Sequence, residues 1–153
     1  MKKPVYVLIA VSLVLVLLPT AATALLATDT MGCPERYWKQ PRNWDSWVDY
    51  QPTDSYSDVF EVAGGDKTLL EALKKGGGGE KALGRQAVAA LLNASNPGVG
   101  YFCTVDDVIA TVRDAYDSGD FEKAKNYFEE QNELDCPLGR GVAESPTPTI
   151  GVE

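Results

Sequence analysis

The chain of 153 residues contains no histidine. Histidine is the commonest general base, the usual partner of a serine or cysteine nucleophile, and the commonest ligand of transition metals. Its absence excludes hydrolases that depend on a Ser-His or Cys-His pair and zinc sites that use imidazole. We therefore predict that the protein is not an enzyme and has no catalytic site, metal site or cofactor.

One long apolar run occurs, at residues 5–18, and it is short for a membrane span, which needs about 20 residues. Two lysines precede it, Pro19 breaks it, and Ala22-Thr23-Ala24 offers the small-x-small pattern of a signal peptidase site. We predict a secretory signal peptide over residues 1–24 and a leader over residues 25–31, so the mature protein is extracellular or on the cell surface. The alternative is an uncleaved anchor, because apolar residues continue a little beyond the cleavage site.

Basic residues are scarce, since 14 lysines and arginines stand against 22 acids and give a formal net charge of −8. Removal of residues 1–24 takes away two lysines and no acid, so the balance becomes 12 minus 22, or −10. A surface of this sign repels the phosphates of nucleic acids and of anionic lipids. We expect no nucleic-acid partner and, after signal cleavage, no membrane contact.

Cysteine is also scarce, with only Cys33, Cys103 and Cys136. Outside the cytoplasm, three thiols allow one internal pair and leave one over. A Cys33–Cys136 bond would join the two ends of the folded region and close a loop of about 100 residues, for which the chain-entropy model gives roughly 4.7 kcal/mol. We predict this disulfide, with Cys103 either buried or free to join a second molecule.

An alternative interpretation makes Thr30-Met31-Gly32-Cys33 a lipid-attachment sequence, in which the cysteine receives a lipid. Lipidation would prevent Cys33 from pairing and leave Cys103–Cys136 as the bridge. Thr30 stands where leucine is usual, and the apolar run ends well before this point. The sequence therefore favours the disulfide.

Helical signals become clear from Thr68, which forms a capping box with Glu71 ahead of several leucines. The glycines at 76–79 must end that helix, because four of them cost too much backbone entropy to stay helical. Apolar residues at helical spacing then predict a central helix over about residues 80–93. A formal glycosylation sequon, Asn93-Ala94-Ser95, lies at its end, and this place favours chance occurrence.

Two further helices are predicted as an antiparallel hairpin. Thr104, with Asp107 three residues later, caps the first of them. Ser118-Gly119-Asp120 turns the chain, with glycine as the left-handed residue and the aspartate as the next cap. The domain ends near residue 138, and residues 139–153 are predicted to form a flexible tail rich in proline and threonine.

Aromatic residues concentrate in a turn-rich segment before these helices, where three prolines interrupt any long helix. They are Tyr37, Trp38, Trp44, Trp47, Tyr50, Tyr56 and Phe60. We interpret them mainly as core for a domain whose helices offer mostly alanine, valine and leucine. The alternative is a glycan-binding platform, with Trp38, Trp44 and Trp47 stacking on sugar rings.

Acidic residues alternate with these aromatics at Asp45, Asp49, Asp54 and Asp58. Calcium prefers several carboxylate oxygens and is plentiful outside cells, but no stretch matches the D-x-[DN]-x-[DN]-G loop. We favour caps and turns as their role. Paired acids could also serve a glycosidase, but no pair stands out among the 22 acids.

Seven motifs follow one another along nearly all of residues 32–138. They are Gly32-Cys33; Tyr37-Trp38-Lys39 with Trp44; Tyr56-Ser57-Asp58-Val59-Phe60; Thr68-Leu69-Leu70-Glu71-Ala72-Leu73; Gly76-Gly77-Gly78-Gly79; the run A-L-G-R-Q-A-V-A-A-L-L-N-A at 82–94; and Glu133-Leu134-Asp135-Cys136-Pro137-Leu138. This series resembles a module of bacterial and archaeal secreted and surface proteins. Its members often lie beside cell-surface repeats and stalks, which implies an extracellular structural or interaction role.

The resemblance also bears on the cysteines, because those of the module match Cys33 and Cys136 and leave Cys103 as the extra thiol. The sequence departs from the module at its first motif. Residues 36–41 read R-Y-W-K-Q-P where the module has G-[YF]-W-K-N-H. Any function of that histidine in relatives is missing here.

The combined expectation is an all-α domain over residues 32–138, a small bundle of about four helices with an irregular aromatic-rich N-terminal segment and one disulfide. The predicted function is that of a non-enzymatic extracellular structural or surface-assembly protein, such as a subunit of a filament or surface layer. Its partners would be copies of itself or another surface protein, with Cys103 and tail residues 147–152 as candidate contacts. The alternative is the glycan-binding module.

Overall fold

The computed structural model describes residues 30–139, and helices dominate this part of the chain. The α-helices are α1 (Glu35–Trp38), α2 (Tyr56–Phe60), α3 (Leu69–Lys74), α4 (Glu80–Ser95), α5 (Val105–Ser118) and α6 (Phe121–Asn132), with 3-10 turns at Pro41–Ser46 and Pro137–Gly139. Residues 30–139 contain no named strand, only an isolated bridge between Ser55 and Thr68. The predicted all-α class and the small bundle are therefore confirmed.

Helix α4 is the central element, and α1, α3, α5 and α6 pack around it. Almost every residue from Ala82 to Asn93 is buried, because small and apolar side chains cover nearly the whole circumference of the helix. The helix runs to Ser95, two residues past the predicted end. Asn96 then leaves the helix in an extended conformation, which suits the residue before Pro97.

Helices α5 and α6 form the predicted hairpin. Thr104 and Asp107 make a complete capping box at the start of α5. Gly119 ends α5 in the left-handed region (φ 73°), and the side chain of Asp120 accepts a hydrogen bond from the backbone N–H of Lys123 to start α6. Buried side chains line the inner faces of both helices: Val108, Val112, Ala115, Ala124 and Phe128.

The segment before α3 is irregular, as predicted, and packs onto the helices. Four of its aromatic side chains are buried in the core: Trp38, Trp47, Tyr56 and Phe60. Gly32 makes the closest approach, because a Cβ there would collide with the carbonyl oxygen of Gln131 at the end of α6. Met31, which the sequence assigned to the leader, also packs against the core.

Several sequence predictions lie outside the described residues. The signal peptide at 1–24, the leader before Thr30 and the tail from residue 140 stay predictions. Gly139, assigned to the tail, ends the last 3-10 turn. Within residues 30–139, no helix has both the length and the apolar character that a membrane crossing requires.

Candidate functional site

The most distinctive site is where the two ends of the domain meet. Cys33 and Cys136 form a disulfide, with their Cα atoms 4.4 Å apart and a sequence separation of 103. Cys33 is fully buried, and Cys136 is half-buried. A bonded, buried Cys33 has no sulfur available for a lipid, so the lipid-attachment alternative and its Cys103–Cys136 bridge disagree with the structure.

The side chain of Asn93, near the end of α4, holds the backbone of Cys33. Its Oδ1 accepts from the Cys33 N–H at 2.8 Å, and its Nδ2 donates to the Cys33 carbonyl oxygen at 2.9 Å. The indole Nε1 of Trp38 donates to the same two acceptors, Cys33 O at 3.1 Å and Asn93 Oδ1 at 3.2 Å. One buried amide therefore pairs with both polar groups of the cysteine backbone, as a neighbouring strand would.

A second buried amide extends this network to α6. Asn93 Nδ2 also donates to Asn132 Oδ1 at 3.0 Å, and the Tyr101 hydroxyl donates to the same oxygen at 2.7 Å. Asn132 Nδ2 in turn donates to the backbone carbonyl and side-chain Oε1 of Gln86, at 3.0 and 2.9 Å. We call the disulfide with Asn93, Asn132 and Gln86 the closure cluster. Buried hydrogen-bond networks of this kind favour one arrangement of the elements they join.

Sequence reasoning missed the three amides of the closure cluster. The available signal was their position: Gln86 and Asn93 are uncharged polar residues seven positions apart on a mostly apolar helix, and so share one face. Asn93 is 0% exposed, so its sequon is inaccessible in the folded domain. Burial of Tyr101 raises the pKa of its hydroxyl, which keeps this donor protonated.

The chain enters and leaves the domain beside the closure cluster. The N–H of Met31 donates to Gly100 O at 2.9 Å, and that of Gly32 donates to Asp135 O at 3.4 Å. On the exit side, the Tyr37 hydroxyl donates to Leu138 O at 3.4 Å. The first and last described residues, Thr30 and Gly139, therefore lie at one pole of the bundle.

The tryptophans do not form the three-ring platform that the glycan alternative requires. Trp38 is 0% exposed and Trp47 is 7% exposed, with its Nε1 donating to Trp38 O at 3.3 Å. Trp44 is half-buried, and the Lys74 ammonium lies 5.8 Å from its ring centroid. The prediction of Trp38 and Trp47 as glycan-stacking residues is corrected, because the bundle needed their large rings as core.

Two of the four acids of the aromatic segment, Asp54 and Asp58, take local roles. Asp54 Oδ2 accepts from the Gln51 N–H at 2.7 Å, and Asp58 lies in the first turn of α2, where its own N–H donates to Ser55 Oγ. Across residues 30–139, no group of three or more acidic or cysteine side chains is placed to hold a metal ion. These contacts favour caps and turns over the calcium interpretation.

A second polar cluster joins α4 to α5. Lys67 Nζ lies 3.1 Å from Glu80 Oε1 and 4.4 Å from the centroid of the Tyr56 ring, and the Tyr116 hydroxyl donates to Glu80 Oε1 at 2.9 Å. Burial opposes the charge of Glu80, but hydrogen bonds from Lys67 and Tyr116 outweigh it and lower the pKa of the carboxyl. A carboxyl group with a lowered pKa stays ionised and cannot act as a general acid near neutral pH, so the role that fits Glu80 is a structural ion pair.

Cys103 has no disulfide partner and is half-buried. Burial raises the pKa of its thiol to about 11, and nearby Asp107 adds to the shift. Next to it in sequence, Phe102 meets the ring of Tyr127 edge to face at 5.0 Å, and Tyr127 is 48% exposed. We call Phe102, Cys103 and Tyr127 the α6 patch, in which Tyr127 is exposed and the other two side chains are half-buried.

No protein-family model, curated protein or solved structure matches the chain. The resemblance to a surface module therefore stays a prediction.

Proposed function

We propose that the protein is exported and serves as a non-enzymatic module in the structure or assembly of the cell surface. The observation that carries this proposal is the Cys33–Cys136 bond, which spans almost the whole domain. Disulfides of this structural kind persist in oxidising compartments and are rare in reducing ones. The N-terminal pattern of two lysines, an apolar run and a small-x-small site agrees with that location.

The assembly half of the proposal rests on the α6 patch and takes a second copy of the chain as the partner. Tyr127 (48% exposed) and Leu134 (37% exposed) are the exposed large apolar side chains of residues 30–139, and both lie on or just after α6. Tyrosine is enriched at protein interfaces because its ring is apolar and its hydroxyl still reaches water. We assign the contact to packing of the Tyr127 ring rather than to a bond through Cys103.

Cys103 is a poor candidate for a covalent link because the thiolate, not the thiol, is the nucleophile. With a thiol pKa of about 11, only a very small fraction ionises at neutral pH. We expect alkylation of native Cys103 by iodoacetamide to be slow at pH 7 and to accelerate with pH until about pH 11, with unfolded protein reacting faster at pH 7 to 9. Cys103→Ser is the control and should incorporate no label. Fast labelling of native protein at pH 7 would contradict the assignment.

Export is tested by expressing the full chain and fractionating the cells. We expect the protein outside the cytoplasmic membrane, with a new N-terminus at Leu25, and we expect a chain lacking residues 2–24 to stay inside. A full-length product in the cytosol, with unchanged N-terminus, would overturn the export proposal.

Assembly is tested by light scattering during size-exclusion chromatography, with and without reductant and over a range of concentrations. We expect oligomers that survive reductant and that Tyr127→Ser weakens. Glu122→Ser, at an exposed position on a different face of the same helix, should leave them unchanged. A chain ending at Gly139 shows whether tail residues 147–152 contribute. A strict monomer under all conditions would refute self-assembly and leave export standing.

A further inference from the structure

We propose that tension transmitted along the chain bypasses the helical bundle and passes through the Cys33–Cys136 bond alone. The function assigned to the closure cluster is that of a mechanical bypass, which keeps the surfaces of the domain folded while its two flanking segments are pulled. The proposal goes beyond surface assembly and does not depend on it, because it follows from where the chain enters and leaves.

The path of the load follows from the covalent connectivity. A force applied before Thr30 and after Gly139 reaches Cys33 and Cys136, whose Cα atoms are 4.4 Å apart and already bonded through sulfur. The residues from 34 to 135 form a closed loop on that bond and lie outside the shortest covalent path. All six α-helices described here fall within this loop.

Little chain can be released before the bond takes the load. On the entry side, only Thr30 to Gly32 precede Cys33, held by the bonds of Met31 to Gly100 and of Gly32 to Asp135. On the exit side, only Pro137 to Gly139 follow Cys136 within the described residues. Six residues at about 3.4 Å each allow an extension of roughly 20 Å.

Without the disulfide, the same force would act along residues 34–135 and would therefore pull on the helices directly. The separation of 103 positions between the cysteines then becomes extensible and corresponds to about 350 Å of chain. Once the contacts of Met31 and Gly32 are lost, the hydrogen bonds between Asn93 and Cys33 would be the next non-covalent contacts to resist the force. The intact and reduced forms therefore differ by more than tenfold in the length that unfolding can release.

The test is single-molecule stretching of the full chain in optical tweezers, with handles attached at residues 29 and 140, next to the two ends of the described part. We expect no extension step above roughly 20 Å in the oxidised protein, and a step of about 350 Å after dithiothreitol is added. Cys103→Ser should behave as the unchanged chain does. A step of 100 Å or more in the oxidised protein would overturn the proposal.

A second pulling geometry tests whether the oxidised domain is folded when a pull on its two ends produces no extension step. Gly78 lies in the exposed glycine run, and a side chain there would meet open space. A handle attached through Gly78→Cys in a Cys103→Ser background, with the other handle at the C-terminus, places helices in the load path. The shorter arm of the loop, from 33 to 78, has 78 minus 33, or 45, positions, so we expect a step of about 150 Å with the bond intact. If no step occurred in this second geometry, the bypass would be contradicted. The absence of a step when the two ends of the domain are pulled would then have a cause other than the path of the force.

Discussion

The α5–α6 hairpin and the entry segment, which we define as residues 30–60, reach their structures by different routes. The residues that determine the hairpin lie within it, namely the capping box at Thr104 and the left-handed Gly119. The entry segment has few repeating backbone hydrogen bonds and depends on partners far away in sequence. Cys33 bonds to Cys136, and its backbone pairs with Asn93, 60 positions away. Order in the entry segment is therefore a tertiary property.

This difference should also appear in stability. Local helix signals persist in partly unfolded chains, whereas an irregular segment loses its order when its distant contacts are lost. We therefore expect changes at the closure cluster to cost more than changes at the caps, and to release the entry segment first. The following substitutions test this order from the largest expected effect to the smallest.

Removal of the disulfide should have the largest effect. We expect Cys33→Ser with Cys136→Ser to lower the free energy of unfolding by about 4 to 5 kcal/mol, because the open chain regains the entropy of a loop of about 100 residues. Urea denaturation followed by circular dichroism measures this loss. Cys103→Ser is the matched control, and an equal loss in that variant would mean that the closure is not what stabilises the domain.

Loss of the Asn93 amide should come next. Asn93→Ala leaves the Cys33 N–H without its acceptor and removes donors to Cys33 O and Asn132, so we expect a loss of about 3 kcal/mol. Hydrogen exchange should become faster at the Cys33 amide before it does so in α5. Asn126→Ala on the exposed face of α6 is the control. A loss below about 1 kcal/mol, as for an ordinary surface position, would show that the network contributes little.

A broken cap should have a smaller and more local effect. Thr104→Ala removes the acceptor of the Asp107 N–H, and we expect a loss of about 1 kcal/mol. Amide exchange should increase in the first turn of α5 and stay unchanged at Cys33. Thr53→Ala, at an exposed position of the entry segment, is the comparison. If amide exchange increased equally in both regions, the structure of α5 would not depend on its local cap more than the entry segment does, and the comparison would be wrong.

The ion pair between α5 and Glu61, the residue that directly follows the entry segment, should contribute least. Arg113 Nη1 on α5 lies 2.9 Å from Glu61 Oε2 after α2, but the two side chains are 54% and 63% exposed. Exposed pairs contribute about 0.2 to 1 kcal/mol and are screened by salt. A double-mutant cycle of Arg113→Ala with Glu61→Gln should therefore give a coupling below about 0.5 kcal/mol. A coupling above 1 kcal/mol would mean that this contact helps to hold the entry segment in place.

The sequence was most informative where the signals are local. Thr68, Thr104 and Gly119 mark helix ends within a residue or two, because capping and left-handed turns involve neighbours in the chain. The cysteine pairing was also predictable, since only three thiols and the two ends of the domain had to be considered. The role of Asn93 was not predictable, because nothing near it in sequence reveals that it will contact Cys33 and Asn132.

The tryptophans also show what the sequence could not predict, namely which aromatic rings are buried and which are exposed. A cluster of rings in a secreted chain agrees equally with a core and with a sugar-binding platform, because the composition is identical. Only the tertiary packing decides, and it buries Trp38 and Trp47 while it leaves Trp44 half-covered. The exposed ring of Tyr127 lies on α6, outside the segment where the sequence placed its candidate platform.

The central claim is that Cys33 and Cys136 close the domain in an exported protein. Peptide mapping by mass spectrometry, without reduction and after alkylation of free thiols, tests it on protein recovered from outside the cytoplasmic membrane. We predict one linked pair of peptides containing Cys33 and Cys136, with Cys103 as a single alkylated thiol. A Cys103–Cys136 linkage, or three free thiols in the exported protein, would contradict the account.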